Sequence, residues 1–254
     1  MKRNLCILLC FVGCIMLMSS CEKENTLHSL SSWLSTDYPA DEFVLFITDP
    51  EIDIMFESTS GGKLSIESAD EFVIGVSSWS WFTYGFTCSM NATIRKPSHV
   101  GSTYLHIYNS EHSALIKVQV LPQYYIYTEP GLDFDDTEDS VRSKLANPVL
   151  FYDPANRTYQ VVDVHGNYNL QIFYAEDGTI DHYVVTLLNH PSEGELRGYI
   201  EERYYYYRTT VNQLPIYIKA FNEHNPSISD ATVVVILDLE SSTITYQNPV
   251  TYNN

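Results

Sequence analysis

Gly101-Ser102-Thr103-Tyr104-Leu105-His106-Ile107-Tyr108 and Ala114-Leu115-Ile116-Lys117-Val118-Gln119-Val120, joined across the polar turn Asn109-Ser110-Glu111-His112, decide the fold class. Thr103, Leu105 and Ile107 fall on one side of an extended chain, and Tyr104, His106 and Tyr108 on the other. Ala114, Ile116, Val118 and Val120 alternate in the same way with Leu115, Lys117 and Gln119. Period-two alternation over two neighbouring runs predicts a hairpin with one buried and one wet face. If the turn lies at 109–112, His106 faces Leu115 rather than His112.

Working outward toward the N-terminus, short apolar runs continue: Phe43 to Thr48, Ile52 to Glu57, Leu64 to Glu67, Phe72 to Val76 and Phe82 to Cys88, with a turn at Gly61-Gly62. Several short strands without a helical pattern argue for a β-sandwich of about 80 residues. The run from Gly101 to Val120 resembles the closing hairpin of bacterial immunoglobulin-like modules and the BACON-type modules of gut-bacterial surface proteins. That resemblance implies an immunoglobulin-like fold over residues 41–123.

Beyond Leu121-Pro122 the character changes. Gln123 to Gly131 is tyrosine-rich and ends in Pro130-Gly131, a turn or linker signal. Asp136 or Thr137 can cap a helix carrying Val141 and Leu145, which Asn147-Pro148 stops. Strands are expected at Val149 to Tyr152, Tyr159 to Val164, Leu170 to Tyr174 and Thr179 to Leu188, joined by turns such as Glu176-Asp177-Gly178. Ser192-Glu193-Gly194-Glu195 reads as a capping box, followed by Leu196, Tyr199, Ile200, Arg203, Tyr204 and Tyr207 at helical spacing. Ile216 to Phe221 and Thr232 to Leu239 return to strand, with Thr243 to Tyr246 as an edge. Residues 124–254 are therefore expected to be an α+β domain with two helices on an antiparallel sheet. Its helix-then-hairpin layout resembles β-lactamase-inhibitor-like lipoprotein domains.

The first residues give the address. Lys2 and Arg3 precede an apolar run from Leu5 to Met18, of signal-peptide length and short for a membrane span. Met18-Ser19-Ser20-Cys21 resembles a bacterial lipobox, with Met18 where the pattern usually has leucine. This implies cleavage after residue 20 and lipidation of Cys21. Glu22-Lys23-Glu24-Asn25 is similar to the export signal of Bacteroidota surface lipoproteins, which implies an outer-membrane protein facing the cell exterior. Residues 21–40 are then a tether, in which Trp33 and Leu34 are exceptions that can cap the first module.

Composition bounds the partners. The net charge is −18, and removal of residues 1–20 takes away two basic groups and no acid, leaving −20. Nucleic acid and anionic lipid are repelled by such a chain, so the anchor must be the acyl chains. Cys6, Cys10 and Cys14 leave with the leader and Cys21 is the lipid site, so Cys88 has no partner for an internal disulfide. The 20 tyrosines, with many Val, Ile and Thr, are strand-forming composition.

No motif for a nucleophile elbow, zinc protease, P-loop or dinucleotide fold is present, so no catalytic residue, metal or cofactor is assigned. The acids Asp133, Asp135, Asp136, Glu138 and Asp139 lack the glycine and distant acid of a calcium loop, and a capped helix start explains them. The aromatics remain. Trp79 and Trp81 in Ser77-Ser78-Trp79-Ser80-Trp81-Phe82 point to one side of an extended segment. Two indoles on one face suit sugar stacking, but a core role is the favoured expectation, because buried aromatics dominate core energetics. Tyr205 and Tyr206 are candidates on the exposed side of the second helix. The reading is a non-catalytic surface binding or adhesion component, for glycan or for another surface protein; an unrecognised hydrolase is the remaining alternative. Cys21→Ala is expected to move the chain from the detergent phase to the aqueous phase in phase-partitioning; unchanged partitioning would remove the lipoprotein reading.

Overall fold

The structure, a computed structural model, describes residues 27–38, 42–60, 62–145, 149–153, 158–162, 168–210, 212–220 and 227–252. The leader, Cys21, the export-like segment and Asn147-Pro148 lie outside the described residues. Strands β1 (His28–Ser29), β2 (Leu34–Thr36), β3 (Glu42–Phe46), β4 (Ile52–Ser58), β5 (Ser65–Ser68), β6 (Val76–Tyr84), β7 (Thr87–Ile94), β8 (Gly101–Tyr108) and β9 (Ser113–Leu121) come first. They form an antiparallel sheet in the order β1-β2-β4-β7-β6 and a second sheet in the order β3-β9-β8-β5. In the second sheet β3 runs parallel to β9, and the other pairs are antiparallel.

The hairpin read from alternation is β8–β9. Leu105 faces Ile116 and His106 faces Leu115, the register expected from the turn. Its inward residues join a cluster with Phe43 and Leu45 of β3, Ile54 and Phe56 of β4, and Met90 and Ile94 of β7. The two sheets therefore share one core. Each fully buried Leu, Ile or Phe there contributes about 1.5–3 kcal/mol relative to exposure.

Three expectations for this half are corrected. Phe72 to Val76 is not a strand. Phe72, Val73 and Ile74 are buried in a turn whose amides are held by Asp70, with Phe72 N donating to Oδ1 at 3.0 Å. A short apolar run gives no sign of whether a strand or a packed turn buries it. Nor is Phe82 to Cys88 one strand. Gly85, at φ 63°, opens the two-residue loop Gly85-Phe86 between β6 and β7. Positive φ at the first loop position is what glycine permits in a tight hairpin. The tether is also shorter than residue 40. β2 pairs with β4, Leu34 is buried, and Trp33 stacks on His112 at 5.2 Å. Burying an indole and a leucine outweighs the polar composition around them.

The remaining chain adds β10 (Val149–Asp153), β11 (Thr158–Val162), β12 (Tyr168–Tyr174), β13 (Ile180–Leu187), β14 (Tyr205–Thr209), β15 (Pro215–Ala220), β16 (Ala231–Asp238) and β17 (Thr243–Gln247). Among the described residues they make one antiparallel sheet of eight strands, ordered β10-β11-β12-β13-β17-β16-β15-β14. β17, expected at an edge, is central between β13 and β16. Helices α1 (Glu138–Lys144), α2 (Glu193–Glu201) and α3 (Pro249–Tyr252) accompany it. Val141 of α1 and Leu196, Tyr199 and Ile200 of α2 enter one core with Leu170, Val185, Val235 and Ile244. Ile216, Ile218, Ala220 and Val234 form a separate cluster with Tyr252. The capping box of α2 is present: Glu195 N donates to Ser192 Oγ at 3.3 Å, and Ser192 N to Glu195 Oε2 at 3.0 Å. Among the described residues no helix is long and apolar enough to cross a membrane.

Gln123 to Gly131 packs against α2 instead of standing free. Glu202, just past α2, accepts from the amides of Gln123 and Tyr124 at 3.1 Å through Oε2. Its own carbonyl accepts from Val100 N at 2.6 Å. Tyr124 lies over Gly198, where an added Cβ would stand 2.5 Å from the ring. Gly198→Ala is therefore expected to lower stability by roughly 1–3 kcal/mol through overpacking. Gly194→Ala, whose methyl meets nothing within 4 Å, should raise it by about 0.5–1 kcal/mol through helix propensity. Urea melts of the two variants check both signs.

Candidate functional site

β6 is the outermost strand of its sheet, and all of Ser77 to Tyr84 is exposed. Trp79 sits opposite Ala92 and Trp81 opposite Met90, so both indoles lie on the sheet face that elsewhere makes the core. They are nonetheless 47% and 42% exposed, while Met90 and Ala92 beneath them are buried. The reason is coverage. Of β6, only Val76 packs against the shared core; β5 of the facing sheet comes alongside, with Lys63 against Trp81, and leaves the indoles half open. The core role expected for Trp79 and Trp81 is thus overturned. Lys63 Nζ lies 5.1 Å from the Trp81 ring centroid, a contact worth about 0.5–1 kcal/mol at an exposed site.

The opposite face of β6 carries Ser78, Ser80, Phe82 and Tyr84. Phe82 is half exposed, and Tyr84 and Phe86, at the hairpin tip, are 87% and 92% exposed. Beside them runs a polar chain: Ser78 Oγ donates to Thr93 Oγ1 at 3.3 Å, and Thr93 Oγ1 to Asp53 Oδ1 at 2.7 Å. One edge strand therefore offers two indoles on one face and hydroxyls with a carboxylate on the other.

Tyr205 and Tyr206 are elsewhere and in a different setting from the one expected. The helix stops at Glu201, and the tyrosine run forms β14 against β15. Consecutive tyrosines favour a pleated strand, and pairing with Ile216–Ile218 realises it. Tyr206 is half exposed and lines a cleft of about 650 Å³ with Arg197, Glu201, Thr209, Gln213 and Pro215. Tyr205 is half-buried against the Ile216 cluster, with its ring 5.9 Å from His99. These tyrosines belong to the eight-stranded sheet and the tryptophans to the five-stranded one, so the four candidates do not form one site.

Sequence reading passed over Glu129. Its Oε2 accepts from Tyr204 Oη at 2.8 Å, and its Oε1 from Tyr246 at 3.3 Å and Tyr199 at 3.5 Å. Tyr127 and Tyr246 share a short hydroxyl contact, and Arg203 Nε stands 3.9 Å from Glu129. Burial pushes the Glu129 carboxyl above its ordinary value, against the phenol of Tyr204, the Arg203 guanidinium and the phenol of Tyr246. Burial, followed by the Glu129 charge, pushes Tyr127, Tyr204 and Tyr246 well up. Side-chain exposure of 31% lets Glu129 line a cleft of about 430 Å³ with Arg203, Tyr125 and Gly101. The available signal was stoichiometric: buried phenols require acceptors, and Glu129 is an acid within the tyrosine-rich segment.

The acidic cluster at α1 already holds a cation of its own. Lys144 Nζ bonds Asp133 and Asp136, each at 2.7 Å, and Asp136 also accepts from Ser140 at 2.6 Å and from Asp133 N. Thr137 is the N-cap by position but makes no side-chain cap bond.

No family model matches the chain, and no curated protein does. Among solved structures it is similar to domains 4 and 5 of the S-layer protein SbsC, with a TM-score of 0.27 and 14% identity over 38% of this chain and 53% of that one. Domains 1–6 of SbsC give 0.29 and 13% over 86% and 23%. The Yersinia pseudotuberculosis adhesin InvE gives 0.24 and 8% over 81% and 49%. The chain thus spans about half or less of each. At these scores the likeness carries no argument about fold or role.

The Glu129 centre yields a pH dependence. A carboxyl whose folded value is raised contributes stability below its unfolded value, and that contribution is lost as pH rises through the folded one. The melting temperature of the parent minus that of Glu129→Gln is therefore expected to grow as pH falls from neutral into the carboxylate range. A difference that is flat, or that shrinks, would contradict the assignment.

Proposed function

We propose that the chain is a lipid-anchored, outward-facing surface protein of non-catalytic binding function, with Trp79 and Trp81 as a stacking platform for an extended glycan. The observation that carries this is the placement of both indoles on one face of an edge strand, half open. Residues two apart on a strand stand roughly 6.5–7 Å apart on the same face. That spacing presents two flat apolar surfaces in line, and the C–H faces of successive sugar rings can lie on them. Lys63 at one indole supplies a donor for ring hydroxyls. Exposed aromatic patches of this kind mark interaction sites in soluble proteins.

The anchor in this proposal is the acyl group on Cys21, which rests on the lipobox resemblance. The body is an immunoglobulin-like sandwich to residue 123 followed by an α+β domain. Support for two modules comes from the cores: residues 33–120 supply one buried cluster, and residues 127–246 supply the others. The described clefts do not favour hydrolysis. One offers Glu201 beside Arg197, the other Glu129 beside Arg203, and neither brings together the carboxylate pair that glycoside cleavage uses. A second reading, docking of another protein, is favoured by Phe82, Tyr84 and Phe86 on the other face and tip of the hairpin.

Truncation separates these. Trp79→Ala and Trp81→Ala are each expected to cost under about 1.5 kcal/mol in denaturant melts, against about 3–5 kcal/mol for the fully buried Phe56→Ala. On a panel of immobilised polysaccharides, the double tryptophan variant should lose retention while Phe82→Ala and Tyr84→Ala keep it. Retention unaffected by loss of both tryptophans would overturn the platform.

A further inference from the structure

The backbone of β6 has a second capacity beside the faces of its side chains. Tyr84 and Thr87 close a two-residue loop, so they are a hydrogen-bonded pair. Bonded and non-bonded pairs then alternate along the ladder. Ser78, Ser80 and Phe82 turn their amides and carbonyls toward β7, while Trp79, Trp81 and Thr83 turn theirs outward. A row of outward backbone groups on an edge strand is a template for another strand, and proteins ordinarily blunt it with charge, proline, shortness or a bulge. The other edges here are blunted. β1 has two residues, β3 carries Glu42, β5 is four residues long with Glu67, β10 has five residues, and β14 has Arg208 and a bulge. β6 is nine residues long with no charge and no proline, and its bulge lies at its start, between Val76 and Ser78.

We propose that a second copy of the chain occupies this edge, the two β6 strands pairing antiparallel about a two-fold axis through Ser80. The sequence around that axis is self-complementary. Trp79-Ser80-Trp81 reads the same from both ends, so Trp79 falls opposite Trp81 of the second copy, and Ser78 opposite its Phe82. Two tryptophan cross-strand pairs result on one face, a stabilising arrangement in antiparallel ladders. In a chain of net charge −18, this strand is a stretch where two copies meet without opposing like charges. Symmetric closure through one shared patch is also the usual route to a soluble dimer. The pairing stands independently of any ligand. Its consequence, a platform of four indoles shared by two copies, rests on the binding reading above.

Ser80 tests the register. Its backbone points to β7, so Ser80 and its symmetry mate form a non-bonded pair with Cα atoms about 4.5 Å apart, within disulfide reach. Ser78 and its mate are offset by four residues, roughly 13 Å, which is beyond it. The full-length chain in detergent, mildly oxidised, is expected to give disulfide dimer from Ser80→Cys at least about tenfold faster than from Ser78→Cys. Ser78→Cys should match the parent, whose Cys88 is buried. Equal rates, or no dimer from a natively folded Ser80→Cys, overturn the proposal. Sedimentation of the parent checks it without any cysteine. A reversible dimer should strengthen with salt as charge repulsion is screened, and Thr83→Pro, which blocks an outward amide without touching the ladder to β7, should abolish it. A parent that sediments as a monomer at every concentration and salt level overturns the pairing. Polysaccharide retention on the same samples is a separate readout: a monomer that still binds sinks only the dimer, and a dimer that does not bind sinks only the platform.

Discussion

A sheet side chain is buried only where a facing layer covers it, and in this protein the layers do not match. β6 lies at the margin of the sandwich, where the sheet opposite covers it only in part. β7 is the last strand whose inward residues, Cys88, Met90, Ala92 and Ile94, are all buried. The next strand is held to it by backbone pairing along its length, yet apart from Val76 none of its side chains joins the shared core. An apolar strand in that position keeps its aromatics open on the inner side and its amides open at the edge. Both the stacking surface and the pairing edge follow from this one shortfall in coverage. It also costs little elsewhere, because the core is already closed by β4, β7, β8 and β9 without help from β6.

The eight-stranded half solves a different problem. Its core is rich in tyrosine, so it must place hydroxyls as well as rings. Glu129 meets that need with one carboxylate that accepts from three phenols, held by Arg203, whose guanidinium stacks 3.8 Å over the Tyr199 ring. A buried polar centre of this sort is stabilising only while its members satisfy one another. One residue past the end of α2, Glu202 ties the amides of Gln123 and Tyr124 and the Val100 amide to the end of the helix. The segment that leaves the first half is thereby fixed on the second, and a glycine at 198 is what lets Tyr124 come close enough.

Much of this was readable from residue order, where the signal is local. The β8–β9 register, the turn at Asp177-Gly178 and the capping box at Ser192 each depend on a few adjacent side chains, and they fold as those side chains dictate. What could not be read depends on partners distant in sequence. Trp79 and Trp81 alternate as core residues would; their exposure is decided by where the opposing sheet ends. Phe72 to Ile74 is apolar enough for a strand, but Asp70 binds its amides into a turn. Tyr204 and Tyr207 continue the helical spacing of Leu196 and Tyr199, which puts Tyr205 and Tyr206 on the outer side of a helix, yet Ile216–Ile218 offers a ladder that draws the run into β14. Glu129 lies in a segment whose Pro130-Gly131 looks like a linker, and its role becomes visible only once three tyrosines converge on it.

β6 carries its indoles half open to solvent. The chain has three tryptophans, at 33, 79 and 81, so its intrinsic fluorescence reports on this directly. Trp33 is 9% exposed and stacked on His112. Acrylamide quenching of the native parent should resolve into a protected minority component from Trp33 and an accessible majority from the other two, with Trp79→Ala and Trp81→Ala each removing part of the accessible component. A single protected population with blue-shifted emission from all three would place the β6 indoles in a core and contradict the account.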